Sequence, residues 1–201
     1  MKKLYGIGLD TVPGAMSIPP LCGLVLTGGW SAPRRPDQVP LPNGGRSQIQ
    51  HCYEILRPYC EATYLLNQSD QSRTVGRPGF PRIHDEWGDI GPIGGILSAF
   101  RYRPEAAWLV VACNLPFIDD GAIDQLIRSR SPSLAATCFL RLEDSTPEPM
   151  CAIYEPSCHE RLIESVQQGA LSPRTALMSS AIQGVIPASR WTLREVNSPE
   201  A

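Results

Sequence analysis

Cys22-Gly23-Leu24-Val25-Leu26-Thr27-Gly28-Gly29-Trp30-Ser31 is the stretch on which the fold turns. The apolar run Leu21–Leu26 lies between Pro19-Pro20 and a glycine pair, without polar alternation. A continuous run of this length suits a strand buried on both faces, as in a parallel sheet. The glycines that close it leave backbone N–H groups bare, and donors of that kind can cradle a phosphate.

The rest of the chain repeats the theme. Ile49, Cys52, Tyr53, Leu56, Tyr59 and Cys60 recur at helical spacing, and Ala62–Leu66 reads as a second strand ending at Asn67. Gly91-Pro92 opens a helix with the face Ile93, Ile96, Leu97 and Phe100, proline being tolerated in a first turn. Ala106–Cys113 is the strongest strand and runs into Asn114-Leu115-Pro116. A helix through Ile123, Leu126 and Ile127 follows, then a strand over Leu134–Leu142 and another over Met150–Tyr154. A helix carries Leu162, Ile163 and Val166, and Ser172-Pro173 marks the cap of a short one. The proline-rich stretches Pro13–Pro42 and Pro78–Pro92 read as loops. Strands alternating with amphipathic helices predict an α/β fold, with a Rossmann-like, mostly parallel sheet and helices on both faces. Residues 1–20 form an irregular lead-in and 21–201 a single domain. Ligands of such sheets sit at the carboxyl ends of strands, where Gly28-Gly29, Asn67 and Asn114 fall together.

Composition narrows the function. Charged residues at 19% and hydrophobic ones at 42% describe an ordinary globule, and a net charge of −2 argues against a nucleic-acid partner. An apolar run long enough for a membrane span is missing, so no membrane association is expected. Met1-Lys2-Lys3-Leu4 opens like a leader, but Asp10, Pro13 and Gly14 interrupt the apolar stretch, so no signal peptide is expected. Seven cysteines without a CxxC pair suggest neither a disulfide framework nor a zinc site, and predict a reducing, cytoplasmic location. His51 and His159 have no nucleophile or base partner at a telling spacing and read as structural.

Five segments, in order, resemble the molybdenum cofactor guanylyltransferases, within the nucleotidyltransferases that share a Rossmann-like sheet. Leu26-Thr27-Gly28-Gly29-Trp30-Ser31 is similar to the first half of Leu-Ala-Gly-Gly-x-Ser-x-Arg-Met-Gly-x-Asp-Lys. Gly91–Leu97 resembles a Gly-Pro-Leu-x-Gly helix start, and Trp108–Pro116 the strand that ends in Asp-x-Pro. Glu148–Tyr154 and Val196–Glu200 resemble the late Pro-Leu-x-Ala-x-Tyr and Asn-x-Thr-Pro-Glu segments.

The resemblance implies transfer of GMP from GTP to molybdopterin, with release of pyrophosphate and dependence on Mg²⁺. Leu26, Thr27, Gly28, Gly29 and Ser31 would then hold the nucleotide, with Asn67 near base or ribose and Asp85 near guanine. Asn197 would face the pterin substrate. Other proteins of molybdenum cofactor biosynthesis, or molybdoenzymes, are the partners it implies. The departures cluster at the catalytic positions. Pro33, Arg34 and Arg35 replace Arg, Met and Gly, and Gln38 replaces the Lys after Asp37. Asn114 stands where the metal-binding Asp is found, with Asp119 or Asp120 a few residues beyond. Arg34 can offer phosphate a bidentate charge, whereas Gln38 can only hydrogen-bond. Asn114 has a ligand oxygen without a charge, which leaves Asp119 to supply one. Two other readings stay open at this point: a degenerate relative that binds nucleotide, pterin or a partner without turnover, and a transferase using CTP or a sugar phosphate.

Overall fold

The computed structural model describes residues 18–27, 47–67, 79–88 and 90–194. Within them one seven-stranded sheet runs in the order β3-β2-β1-β4-β6-β5-β7. The strands are β1 (Leu21–Leu26), β2 (Ala62–Asn67), β3 (Arg82–His84), β4 (Ala107–Ala112), β5 (Ala136–Leu140), β6 (Pro147–Tyr154) and β7 (Ile182–Val185). Five helices accompany them: α1 (Gln48–Leu56), α2 (Pro92–Tyr102), α3 (Asp120–Ser129), α4 (Cys158–Gln167) and α5 (Pro173–Met178).

β1 holds the centre. It pairs in parallel with β2 on one edge (Val25 opposite Leu65) and with β4 on the other (Leu26 opposite Ala112). β3 extends the parallel set beyond β2. β6 alone runs against its neighbours, between β4 and β5, and β7 lies parallel to β5 at the far edge. Alternate residues then fill two cores. Leu24, Leu26, Trp108 and Val110 meet α2, α4 and α5 on one face, while Val25, Leu109 and Val111 meet α1 and α3 on the other. This double cover explains why β1 and β4 read as unbroken apolar runs.

Local differences from the sequence reading have physical causes. α1 ends at Leu56 rather than running to Cys60, because Pro58 follows and the residue before proline disfavours helix. Tyr59 and Cys60 still pack on the core from the turn. The segment Pro78–Pro92, read as loop, contains β3, three residues long and recruited only by its pairing with β2. β6 begins at Pro147, before the apolar run, and contains Pro149 where the register with β5 shifts; an irregularity of that kind is where a strand tolerates proline. The Tyr154 hydroxyl donates to the Pro149 carbonyl inside the core at 2.9 Å. Residues 1–17 of the lead-in lie outside the described residues, but Pro19 and Pro20 are tied down. Ala107 N–H donates to the Pro20 carbonyl, and Arg130 donates to that of Pro19.

All seven cysteines are free, six of them buried. Burial pushes the thiols of Cys113, Cys138 and Cys158 up to about 12 from an ordinary 9.0. A thiol raised by folding stabilises the fold while protonated. That contribution is complete below the unfolded value and is lost as pH climbs towards the folded one. Urea midpoints under reductant should therefore fall as pH rises from about 9 towards 12; a flat profile would refute the burial argument.

At the amino-terminal pole of the central strands, Arg130 follows α3 and grips Glu155 bidentately, at 2.7 and 3.0 Å. The same guanidinium reaches the Pro19 carbonyl at 2.9 Å. Glu155 is fully buried and Arg130 13% exposed. Arg130→Ala leaves a buried carboxylate and a carbonyl without their donor, and should destabilise the chain by about 3–5 kcal/mol in urea unfolding, with Arg130→Lys intermediate.

Candidate functional site

The four parallel strands from β3 to β4 end along one edge of the sheet, and each delivers a polar residue there. Thr27 follows β1, Asn67 closes β2, Asp85 follows β3 and Asn114 follows β4. In sheet order they run Asp85, Asn67, Thr27, Asn114, over roughly 14 Å at the usual spacing between strands. This is the topological position at which open α/β sheets bind ligands.

Thr27 is nearly buried, and its hydroxyl donates to the Leu66 carbonyl at 2.5 Å. That bond stitches the ends of β1 and β2 just before Gly28-Gly29 in the chain. Leu26 lies in the core below, its carbonyl accepting from Cys113 N–H, so β1 and β4 are joined up to the residue preceding Asn114.

Asp85 is half-buried and anchored. Its Oδ1 accepts from Trp87 N–H at 3.0 Å and faces the Ser98 hydroxyl at 3.5 Å. Ser98, on α2, donates to the Gly94 carbonyl and accepts from Glu86 N–H, so one hydroxyl locks the start of α2 to the end of β3. The Gly91–Leu97 motif explains itself here. Gly91 caps α2 with φ +79°, a conformation that favours glycine. A side chain at Gly95 would collide with Leu66 and Leu26, so its absence lets α2 lie directly on β1 and β2.

Asn114 is half-buried, and its Oδ1 is shielded from solvent without a donor among the described residues. A buried acceptor left open at a strand end is a place where a ligand would supply the missing partner. Asp119 is placed differently: it is the N-cap of α3, and its Oδ1 accepts from Ala122 N–H at 2.8 Å. One of its oxygens thus serves the helix. Among the described residues no cluster of three histidine, cysteine or acidic side chains could hold a metal ion.

Gly28, Gly29, Ser31, Arg34, Gln38 and Asn197 lie outside the described residues. His51, read as structural, bonds through Nε2 with the Ile118 carbonyl at 2.9 Å, and His159 stacks on Phe100. Sequence reasoning assigned no role to Glu148, buried at the start of β6 on the same pole. Its Oε1 accepts from Met150 N–H, and its Oε2 lies 3.3 Å from Arg174 and 3.7 Å from Arg141. Its signal in the sequence was a lone carboxylate between two prolines at the head of an apolar strand.

Sheet order, strand-end residues and glycine-tailored helix together define a nucleotidyltransferase-type α/β domain. Residues 23–181 match the family model of the MobA-like NTP transferase domain, and the chain belongs to that family. It is 30% identical over 181 residues to a molybdenum cofactor biosynthesis bifunctional protein of Synechocystis, covering 90% of this chain and 52% of that protein. The chain thus spans about half the length of that relative. A probable molybdenum cofactor guanylyltransferase of Rhodopirellula baltica is 27% identical, covering 90% of this chain and 89% of the other. Among solved structures, the molybdopterin-guanine dinucleotide biosynthesis protein A of Archaeoglobus fulgidus superposes with a TM-score of 0.71 at 20% identity. That match covers 89% of this chain and 93% of that one, and it establishes the shared fold.

Replacing Thr27 by Val keeps the volume and removes the donor to Leu66. Stability should fall by about 1 kcal/mol in urea unfolding. An unchanged midpoint would mean that this bond does not hold the β1 and β2 ends together.

Proposed function

We propose that this chain is a guanylyltransferase that transfers GMP from GTP to molybdopterin and releases pyrophosphate. The observation that carries the reading is the row Asp85, Asn67, Thr27 and Asn114 at one sheet edge in a chain of this family. The names of its relatives support the choice of GTP and of a molybdopterin acceptor. In this reading the turn after Thr27, with Gly28, Gly29 and Ser31, holds the phosphates, and Arg34 and Gln38 lie against them. Asp85 and Asn67 face the guanosine end, while Asn197 faces the pterin.

The transfer is in-line displacement at the α-phosphorus by an oxygen of the acceptor's phosphate, with pyrophosphate as leaving group. Such reactions are accelerated by positioning and by neutralising charge on the phosphoryl oxygens. Bound Mg²⁺ would supply that neutralisation at the α-phosphate. The open Asn114 Oδ1 fits as one oxygen ligand for a hard cation, and the nucleotide's own phosphates supply the negative charge that holds it. Asn114 therefore orients rather than charges the site, and arginine side chains bear a larger share of the phosphate's charge than in a site with a carboxylate there. Seven free thiols, six of them buried, support a reducing, cytoplasmic setting. Other proteins of cofactor assembly or molybdoenzymes would be its partners.

Calorimetric titration with GTP, with and without Mg²⁺ and with CTP as control, tests the reading. The expected result is GTP-selective binding that Mg²⁺ strengthens. In Asn114→Asp the Mg²⁺-dependent gain should grow by roughly tenfold and GMP transfer should quicken, since a carboxylate adds the missing charge. GTP binding that is absent, or indifferent to both Mg²⁺ and base, would refute the assignment.

A further inference from the structure

Beyond the carboxyl ends of β5 and β7, on the same pole as Asn114, lies a cleft of about 570 Å³. Arg141, Glu143, Arg190, Trp191, Leu193 and Arg194 line it. The guanidinium of Arg190 sits 4.7 Å from the centre of the Trp191 ring, and that of Arg194 sits 5.2 Å from it. Arg141 is shared between buried Glu148 at 3.7 Å and Glu143 at 3.9 Å. Among the described residues no carboxylate lies within ion-pair distance of Arg190 or Arg194. With Arg141 offset by Glu143 and Glu148, Arg190 and Arg194 make this wall cationic, in a chain whose net charge is −2.

The turn that presents the pair is fixed from below. Gln125 on α3 donates to the Ile186 carbonyl at 2.7 Å and accepts from Ala188 N–H at 3.1 Å, clamping the chain as it leaves β7. Thr192 N–H and Arg194 N–H close successive turns onto Ser189 and Trp191 carbonyls. Thr192 is buried and Leu193 packs on the core, which turns Trp191 and both arginines outward. A guanidinium laid on an indole keeps its N–H edge free and its plane set, the geometry that receives a phosphate through paired hydrogen bonds.

We propose that this cleft is a second anion site, for an oxyanion of the phosphate class, distinct from the nucleotide site. β5 and β7 stand two and three strands from β4, about 10–14 Å along the sheet, so the cleft lies to the far side of Asn114 from Thr27, Asn67 and Asp85. The concave shape and small-molecule volume favour a phosphate over an acidic protein segment. Free phosphate or pyrophosphate and the phosphates of a nucleotide share the chemistry; the test separates them.

Trp191 is 45% exposed and Trp108 fully buried, while the other two tryptophans, Trp30 and Trp87, follow Thr27 and Asp85 in the chain, so only the fluorescence change that Trp191→Phe abolishes reports on the cleft. The full chain is titrated with phosphate, pyrophosphate, GTP and a polyglutamate peptide. The expected result is a saturable, salt-weakened change with phosphate or pyrophosphate, absent in Trp191→Phe. In the double variant Arg190→Ala, Arg194→Ala it should be weaker by about tenfold or more. A saturable response to GTP alone, lost in the double variant together with calorimetric GTP binding, would make the cleft part of the nucleotide site and overturns the proposal. An unchanged response in the double variant, no saturable response to any phosphate, or a response to the peptide alone overturns the proposal. Calorimetric GTP binding in the double variant stays at the wild-type value if the two sites are separate. Loss of GTP binding in the wild type itself would refute the guanylyltransferase reading without touching this one.

Discussion

Parallel pairing of β1 on both its edges is the constraint from which the site follows. Here the register places Leu26 beside Ala112 while β2 closes at Asn67, so the three neighbouring strands end level. The residues at and just past those ends, Thr27, Asn67 and Asn114, are thereby brought to one edge. Burial of β1 and β4 on both faces resists slippage, since a one-residue shift would exchange the two cores. The Thr27 hydroxyl on the Leu66 carbonyl and the Cys113 amide on the Leu26 carbonyl add polar stitches where the apolar contacts stop.

Charge is distributed unequally between the poles. At the amino-terminal pole Arg130 and Glu155 form a buried, bidentate pair that also satisfies the Pro19 carbonyl. Its worth lies in holding three segments in one place more than in net stability, because burying two charges costs nearly what their attraction returns. At the carboxyl pole the carboxylates have structural work. Glu148 faces two arginines, Asp119 caps α3, and Asp85 accepts from the turn that leads to α2.

Where a side chain pattern decides structure, the sequence was readable. β1, β2, β4, and the helices with one apolar face stood close to their expected places, because each carries its own periodicity. β3 and β7 were not legible. They have three and four residues, and their existence depends on a neighbouring strand's free edge rather than on anything local. Asp85 illustrates the consequence: the resemblance alone singled it out beside His84 and Glu86, and β3 is what puts it in the row of strand ends. Asn67 and Asn114 were legible as strand ends. The Glu148 cluster and the arginines about Trp191 were not, since their partners are distant in sequence and meet only through β6 and the turn after β7.

The same placement bears on the asparagine at position 114. A site that holds a triphosphate must neutralise several negative charges, by a metal, by guanidinium groups, or by both. An Asp at the end of β4 would hold a metal more firmly but would add a negative charge of its own next to the phosphates. With Asn there, the strand end keeps an open oxygen that could serve a cation and forgoes that charge. The long-range field along this edge is then more favourable to anions than an Asp would leave it, and that field decays only over the ~10 Å of ionic screening. In the proposed reaction both substrates carry phosphate, so the exchange leaves less repulsion beside them at the end of β4. It makes anion capture less dependent on the metal, while the chemical step, which needs charge at the α-phosphate itself, comes to rest on where the guanidinium groups lie.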